Sequence, residues 1–175
     1  MAATGGARTR DEGGGVRCLT MEESRLWRKE HVSRRSWKRQ VTYVTPYPLE
    51  WFTEALARHF APFTQAILVV DQVIFDVPRE LTAARLAAGE TRTVYTVPGH
   101  VIGGDERELS RMLYHMYGFD FRVLFAPSDH ALRADHDGFT TVFSMSTGWM
   151  AELKKAMRER GVERIAADRW TADPP

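Results

Sequence analysis

The sequence predicts an α+β fold, a single domain built on a mixed β-sheet covered by helices. Three observations carry that expectation. Strand-like and helix-like segments alternate through the first two thirds of the chain, which implies helical crossovers. Residues 119–125 and 139–145 are both strand-like with no helix between them, so they read as a C-terminal antiparallel β-hairpin, with a helix after it. The chain has 175 residues of which 43% are hydrophobic, enough for one core without a disulfide or a metal. A three-layer α/β sandwich is the alternative arrangement of the same elements.

The elements follow in order. Residues 1–19 are rich in Gly, Ala and Arg near their start and read as a flexible leader. Thr20 and Glu23 have the spacing of a capping box, so a helix is expected from there to about Ser36. Its apolar positions are sparse: Met21, Leu26, Trp27, Val32 and Trp37. Residues 20–40 are therefore a basic helical arm, and residues 41–166 the domain proper.

Within the domain, 41–45 (VTYVT) is β-branched and aromatic and predicts a strand. Pro46 and Pro48 end it, and Pro48 suits the first turn of a helix. Leu49, Phe52, Leu56 and Phe60 give that helix one apolar face. Residues 66–75 form the most apolar run and predict a central strand bent near Asp71. A helix over 79–88 rests on Leu81, Ala84 and Leu86, with Gly89 as its end. Residues 92–97 predict a strand, and 98–106 a glycine-containing turn. Asp105 caps the next helix, whose Leu109, Met112, Leu113 and Met116 share a face before Gly118. Phe119, Phe121, Val123 and Phe125 alternate with polar neighbours, the pattern of a strand with one face on the core. The 126–138 segment reads as a long loop joining this strand to 139–145. Met150, Leu153 and Met157 mark the last helix, Val162 to Ile165 a short edge strand, and 167–175 a C-terminal tail.

Composition and motifs exclude more than they assign. There is one cysteine, Cys18, so no internal disulfide can form. The chain has no Walker loop, no GxGxxG, no GxSxG, no HExxH and no CxxC. No apolar run reaches about 18 residues, so no membrane span is expected and a cytoplasmic location is the expectation. The formal net charge of +1 is the sum of +5 over residues 1–40 and −4 over the rest.

Three groups of residues have chemistry to offer. The 126–138 loop holds His130, His136 and Asp137, and with His100 and Asp71 these are candidates for acid–base or metal-assisted work. The plainer alternative is a solvated hairpin tip. The glycines at 99, 103 and 104 precede a helix and suit an anion cradle, but Asp105, Glu106 and Glu108 there oppose one. The arm offers Arg28, Arg34, Arg35 and Lys38 for the phosphates of nucleic acid, with Trp27 and Trp37 interleaved for stacking. Tyr47, Trp51 and Tyr114 could line a recognition face.

The absence of strong catalytic signatures favours a ligand- or protein-binding domain with a regulatory or inhibitory role. A small acid–base or metal-assisted enzyme using the 126–138 loop with His100 is the first alternative. Nucleic-acid binding through the basic arm is the second. The sequence leaves both the cofactor and the oligomeric state unknown.

Overall fold

The computed structural model describes residues 16–31, 37, 39–75, 77–89, 99–126 and 129–166. It is an α+β domain with one eight-stranded sheet, and every strand pair in it is antiparallel. In chain order the strands are β1 (Arg17–Cys18), β2 (Arg39–Val44), β3 (Gln65–Val73), β4 (His100–Gly103), β5 (Phe119–Ala126), β6 (His130–Asp135), β7 (Phe139–Ser144) and β8 (Arg164–Ile165). The helices are α1 (Met21–His31), α2 (Glu50–Phe60), α3 (Arg79–Ala87), α4 (Glu106–Leu113) and α5 (Thr147–Glu159). Across the sheet the order is β1-β4-β3-β5-β6-β7-β2-β8.

The expected mixed sheet is corrected by this order. Helical crossovers exist, but none lands on a neighbouring parallel strand. β4 and β5 both run antiparallel to β3, so α4 joins two strands of the same direction with β3 between them. β7 and β8 flank β2 in the same way, and α5 joins them. A crossover sets relative direction; it does not set adjacency.

Each face of the sheet has its own core. Strand residues alternate between faces. Ala66, Leu68, Val70, Phe121, Val123, Phe125, Leu132 and Val142 meet the buried sides of α2, α3, α4 and α5. Ile67, Val69, Leu124, Ala131 and Phe143 meet Leu19, Trp27 of α1 and Trp37 on the other face. The two proposed arm tryptophans are thus spent on packing. Trp27 is 8% exposed and donates its indole N–H to Gln65 at 2.6 Å, and Trp37 lies 6.0 Å from the Phe143 ring.

Several local expectations hold. Thr20 and Glu23 form the reciprocal capping box: the Thr20 N–H donates to Glu23 Oε2 at 2.7 Å, and the Glu23 N–H to Thr20 Oγ1 at 3.2 Å. Asp105 caps α4 by accepting the Arg107 N–H at 2.8 Å. Phe52, Leu56 and Phe60 are buried along α2, as are Met150, Leu153 and Met157 along α5.

Other expectations are corrected. The predicted leader reaches the sheet, because Arg17 and Cys18 pair with Val101 and His100. The 126–138 segment is not a loop. It contains β6, which inserts between β5 and β7 and pairs with both, so the expected direct 119–125 to 139–145 pairing is replaced. The turn of 98–106 contains β4. Leu86 is 69% exposed, so only Leu81 anchors α3 in the core. The predicted strand at 92–97 and the end of the predicted arm helix at 32–36 lie outside the described residues.

The glycines near β4 serve close packing. A Cβ on Gly104 would sit 2.4 Å from the Phe63 carbonyl oxygen, and one on Gly99 2.3 Å from Ile67 Cδ1. A backbone oxygen cannot swing aside, so overpacking of about 1–3 kcal/mol is expected for Gly104→Ala. Gly148, with open space around its Cβ position, is the control. Urea unfolding should show Gly104→Ala destabilised by that amount and Gly148→Ala unchanged or slightly more stable.

Candidate functional site

The sheet sorts the histidines and carboxylates that the sequence singles out. His100 on β4 is opposite Leu68 on β3, and Leu68 is opposite Val123 on β5, which is opposite Leu132 on β6. His100 and His130 are therefore three strand spacings apart, about 14 Å. The expected convergence of His100 with the 126–138 histidines is corrected: they do not share a pocket.

His100 is fully buried, directly opposite Cys18 on the adjoining strand. Neither ring nitrogen has a hydrogen-bond partner among the described residues. Burial lowers its pKa to about 4, and the positive charge of Arg85 adds to this. The Leu68 backbone favours the proton slightly, from outside hydrogen-bonding geometry. The ring is a neutral core group.

His130 belongs to an aromatic stack. Its ring lies 3.8 Å from Trp149 at 14°, and Trp149 in turn contacts His59 and Phe60. His130 Nδ1 is 3.0 Å from Ser144 Oγ, a spacing that suits a nucleophile and its base. Ser144 is fully buried, however. Its hydroxyl donates to the Ser146 carbonyl and accepts the Ser146 N–H, so it locks the turn into α5.

His136 and Asp137 lie in the three-residue turn between β6 and β7. Gly138, at φ 88°, closes that turn. A left-handed residue at this position is the usual device of a three-residue hairpin. The turn curls as the ligand reading required, and it recruits Asp120 from β5. His136 Nδ1 is 2.6 Å from Asp120 Oδ1, which also accepts the His136 backbone N–H at 2.8 Å. Asp135 and Asp137 approach the ring at 3.8 and 3.5 Å. One ligand atom each from Asp120, Asp135 and His136 falls within 4.8 Å of the others, a donor set suited to a divalent cation. The hydrogen bond to Asp120, with the three carboxylate charges, holds the His136 pKa above its ordinary value. At the spacing found, the imidazole is hydrogen-bonded directly to Asp120, and becomes an ion pair when it is protonated. Sequence reasoning missed Asp120 because it reads as one polar step of an alternating strand.

Asp71 sits in a β-bulge of β3, on the face opposite α2 to α5. Arg122 Nε donates to both of its oxygens, at 3.0 and 2.9 Å. That carboxylate is bound in a guanidinium fork.

An open concavity lies elsewhere, between α2 and α4. The two helices run antiparallel: Tyr114 reaches Glu50 at one end, and Ser110 Oγ donates to Thr53 Oγ1 at 3.3 Å further along. Beyond that contact the helices part. Glu54, Ala57, Arg58, Glu106, Arg107 and Arg111 line an open groove of about 570 Å³. Arg111 is held by Glu80 and Glu108. Arg58 and Arg107 have no carboxylate within ion-pair distance among the described residues. At the other end of this helix pair Tyr47 is 88% exposed and Tyr114 46%. The carboxylate of Glu50, with Tyr47 nearby, raises the Tyr114 pKa. Trp51 faces away from this groove, packed edge-on to Phe52 with Arg160 5.8 Å above its ring. Spacing alone could not reveal the groove, because its two walls are about 50 residues apart in sequence.

Of the arm cations, Arg34, Arg35 and Lys38 lie outside the described residues, as does the side chain of Arg28. Arg25 pairs with Glu22 at 2.6 Å. No helix among the described residues is long and apolar enough to cross a membrane. No family model, curated protein or solved structure matches the chain.

The two shifted histidines make opposite demands on stability. The folded chain binds the His100 proton only near pH 4, the unfolded chain near 6.5. Stability from the neutral ring is complete above about pH 6.5 and is lost as pH falls toward 4, on the order of 3 kcal/mol. His100→Leu should remove most of that acid sensitivity in urea unfolding at pH 7 and pH 4.5. An unchanged pH slope would contradict it. The His136 pair acts below the unfolded value and fades as pH rises through the raised folded value. NMR titration should place the His136 midpoint above 6.5, and Asp120→Asn should bring it down.

Proposed function

We propose that this chain is a protein-binding domain whose recognition surface is the α2–α4 helix pair. The observation that carries the reading is two arginines without carboxylate partners among the described residues, in the groove at one end of the helix pair, with two exposed tyrosines at its other end. Tyr and Arg are enriched at binding hot spots, where rigid rings and planar guanidinium groups give contact area and paired hydrogen bonds. The occupant that fits is a short segment of a partner protein. One acidic side chain would meet Arg58 and Arg107, and an apolar or aromatic side chain would pack on Tyr47 and Tyr114. Glu54 and Glu106 on the same walls favour a segment that also carries a cation. Occupation of such a surface suits a regulatory or inhibitory role.

The acid–base or metal-assisted reading rests on the Asp120–Asp135–His136 cluster alone, since His100 lies apart from it. A cation there would have to displace the Nδ1 proton of His136. Elemental analysis of the purified protein at neutral pH separates this reading from the first.

The groove is tested with peptides selected from a random 12-residue display library against the wild-type chain. Selected peptides should carry at least one acidic residue, and Arg58→Glu with Arg107→Glu should weaken their binding about tenfold or more. Tyr47→Ala with Tyr114→Ala should weaken it by a similar factor. Peptides that bind both double variants as well as wild type would overturn the reading.

A further inference from the structure

A smaller pocket lies between α2 and α5. The two helices run antiparallel, and a contact at each end holds them so. Trp149, near the start of α5, donates its indole N–H to the carbonyl of His59, near the end of α2, at 3.2 Å. The two rings lie 4.6 Å apart. At the other end Arg160, the C-cap of α5, lies over the ring of Trp51, 5.8 Å from its centroid. Ala55, Arg58 and His59 have the i, i+3, i+4 spacing of one helix face, and Ala156 and Arg160 repeat the longer step on α5. With Met157 they line an open pocket of about 190 Å³.

The lining is one-sided in charge. It holds two arginines and no carboxylate, unlike the α2–α4 groove, whose walls carry Glu54 and Glu106. Neither Arg58 nor Arg160 has a carboxylate within ion-pair distance among the described residues. The acids nearby are placed elsewhere. Glu54 faces the other groove, Glu159 is 4.0 Å from Lys155, and Glu152 acts on His59 from outside the lining. His59 adds no charge at neutral pH. Burial lowers its pKa, and its Nε2 is 3.4 Å from the Trp149 carbonyl, which can only accept. Two exposed guanidinium groups beside the apolar Ala55, Ala156 and Met157 therefore share one need, an oxyanion that both can grip.

We propose that this pocket binds the phosphate group of a phosphate monoester, held between Arg58 and Arg160. Such a group carries a charge of about −1.5 to −2 at pH 7. Two permanent guanidinium charges match that, whereas a single carboxylate leaves one of them uncompensated. Its three free oxygens can accept paired N–H bonds from both forks. Sites that enclose whole small molecules measure about 300–1,000 Å³, so this pocket takes the phosphate and leaves the group that carries it outside. Arg58 lines the α2–α4 groove as well, so a phosphorylated side chain on a segment bound there can reach the pocket. The phosphate site itself stands without that groove, because Arg160 belongs to the pocket alone.

Phenyl phosphate and benzoate are the probes, titrated by NMR into the full chain at low salt. Wild type should bind phenyl phosphate about tenfold or more tighter than benzoate. Arg160→Ala should weaken phenyl phosphate about tenfold. Arg160→Lys, which keeps the charge and loses the fork, should weaken it by a smaller factor. Arg107→Ala, which alters the α2–α4 groove alone, should leave it unchanged. Display-selected peptides should show the reverse pattern, so the groove and the pocket succeed or fail separately. The same peptides are then remade with phosphoserine at each position. A gain at one position that Arg160→Ala removes assigns the phosphate to a phosphorylated partner segment. Binding of phenyl phosphate with no such gain assigns the site to free phosphate esters. No binding of phenyl phosphate by wild type, equal binding of benzoate, or undiminished binding by Arg160→Ala would overturn the proposal.

Discussion

The structure depends on one strand being buried on both faces. β3 lies between β4 and β5 and carries Ala66, Leu68 and Val70 toward one core and Ile67 and Val69 toward the other. All five are at most 8% exposed. Full burial of a Val, Leu or Ile side chain contributes about 1.5–3 kcal/mol. The larger four together approach the whole net stability of an ordinary domain, about 5–15 kcal/mol. Neither cover is therefore optional. The helices α2 to α5 must close one side, and α1 with Trp37 must close the other. This makes the basic N-terminal segment part of the core: residues counted as an arm supply Trp27, and residues counted as a leader supply β1.

That constraint also places the surfaces. α2 and α4 are held side by side because Phe52, Leu56, Leu109 and Met112 all sit on the same sheet face. Their outer sides are left to solvent, and charged residues on them form the groove walls. α5 occupies the far end of the same face, where the sheet runs out into the short β8. The Asp120–His136 cluster arises differently. The tight turn after β6 folds its polar residues back onto β5, and the buried carboxylate of Asp120 is satisfied there by the His136 ring and backbone N–H.

Much of this was legible in the sequence, for identifiable reasons. Helices with caps, such as those begun by Thr20 and Asp105, have the expected starts because capping is local chemistry. β3, β5 and β7 were legible from β-branched and aromatic runs. β6 was not, because Ala131 and Ala134 are poor strand formers and Arg133, Asp135 and His136 resemble a loop. Burial of Ala131, Leu132 and Ala134 between two long strands overrides that local preference. β4 was hidden by Gly103 and Gly104, residues that mark turns but here allow close backbone approach. Of the site residues, Tyr47 and Tyr114 were legible as exposed aromatics. Arg58 and Arg107 were not. Their significance lies in the lack of a carboxylate partner among the described residues of elements far apart in sequence, and no local pattern records that.

The central claim is that recognition takes place on the α2–α4 pair rather than on the β5–β7 face that carries His136 and Arg122. Hydrogen–deuterium exchange of the chain with and without a bound display-selected peptide tests it most directly. Exchange should slow in segments 47–58 and 106–114 and stay unchanged through 119–144. Slowing confined to 119–144, with the two helices unaffected, would contradict the account.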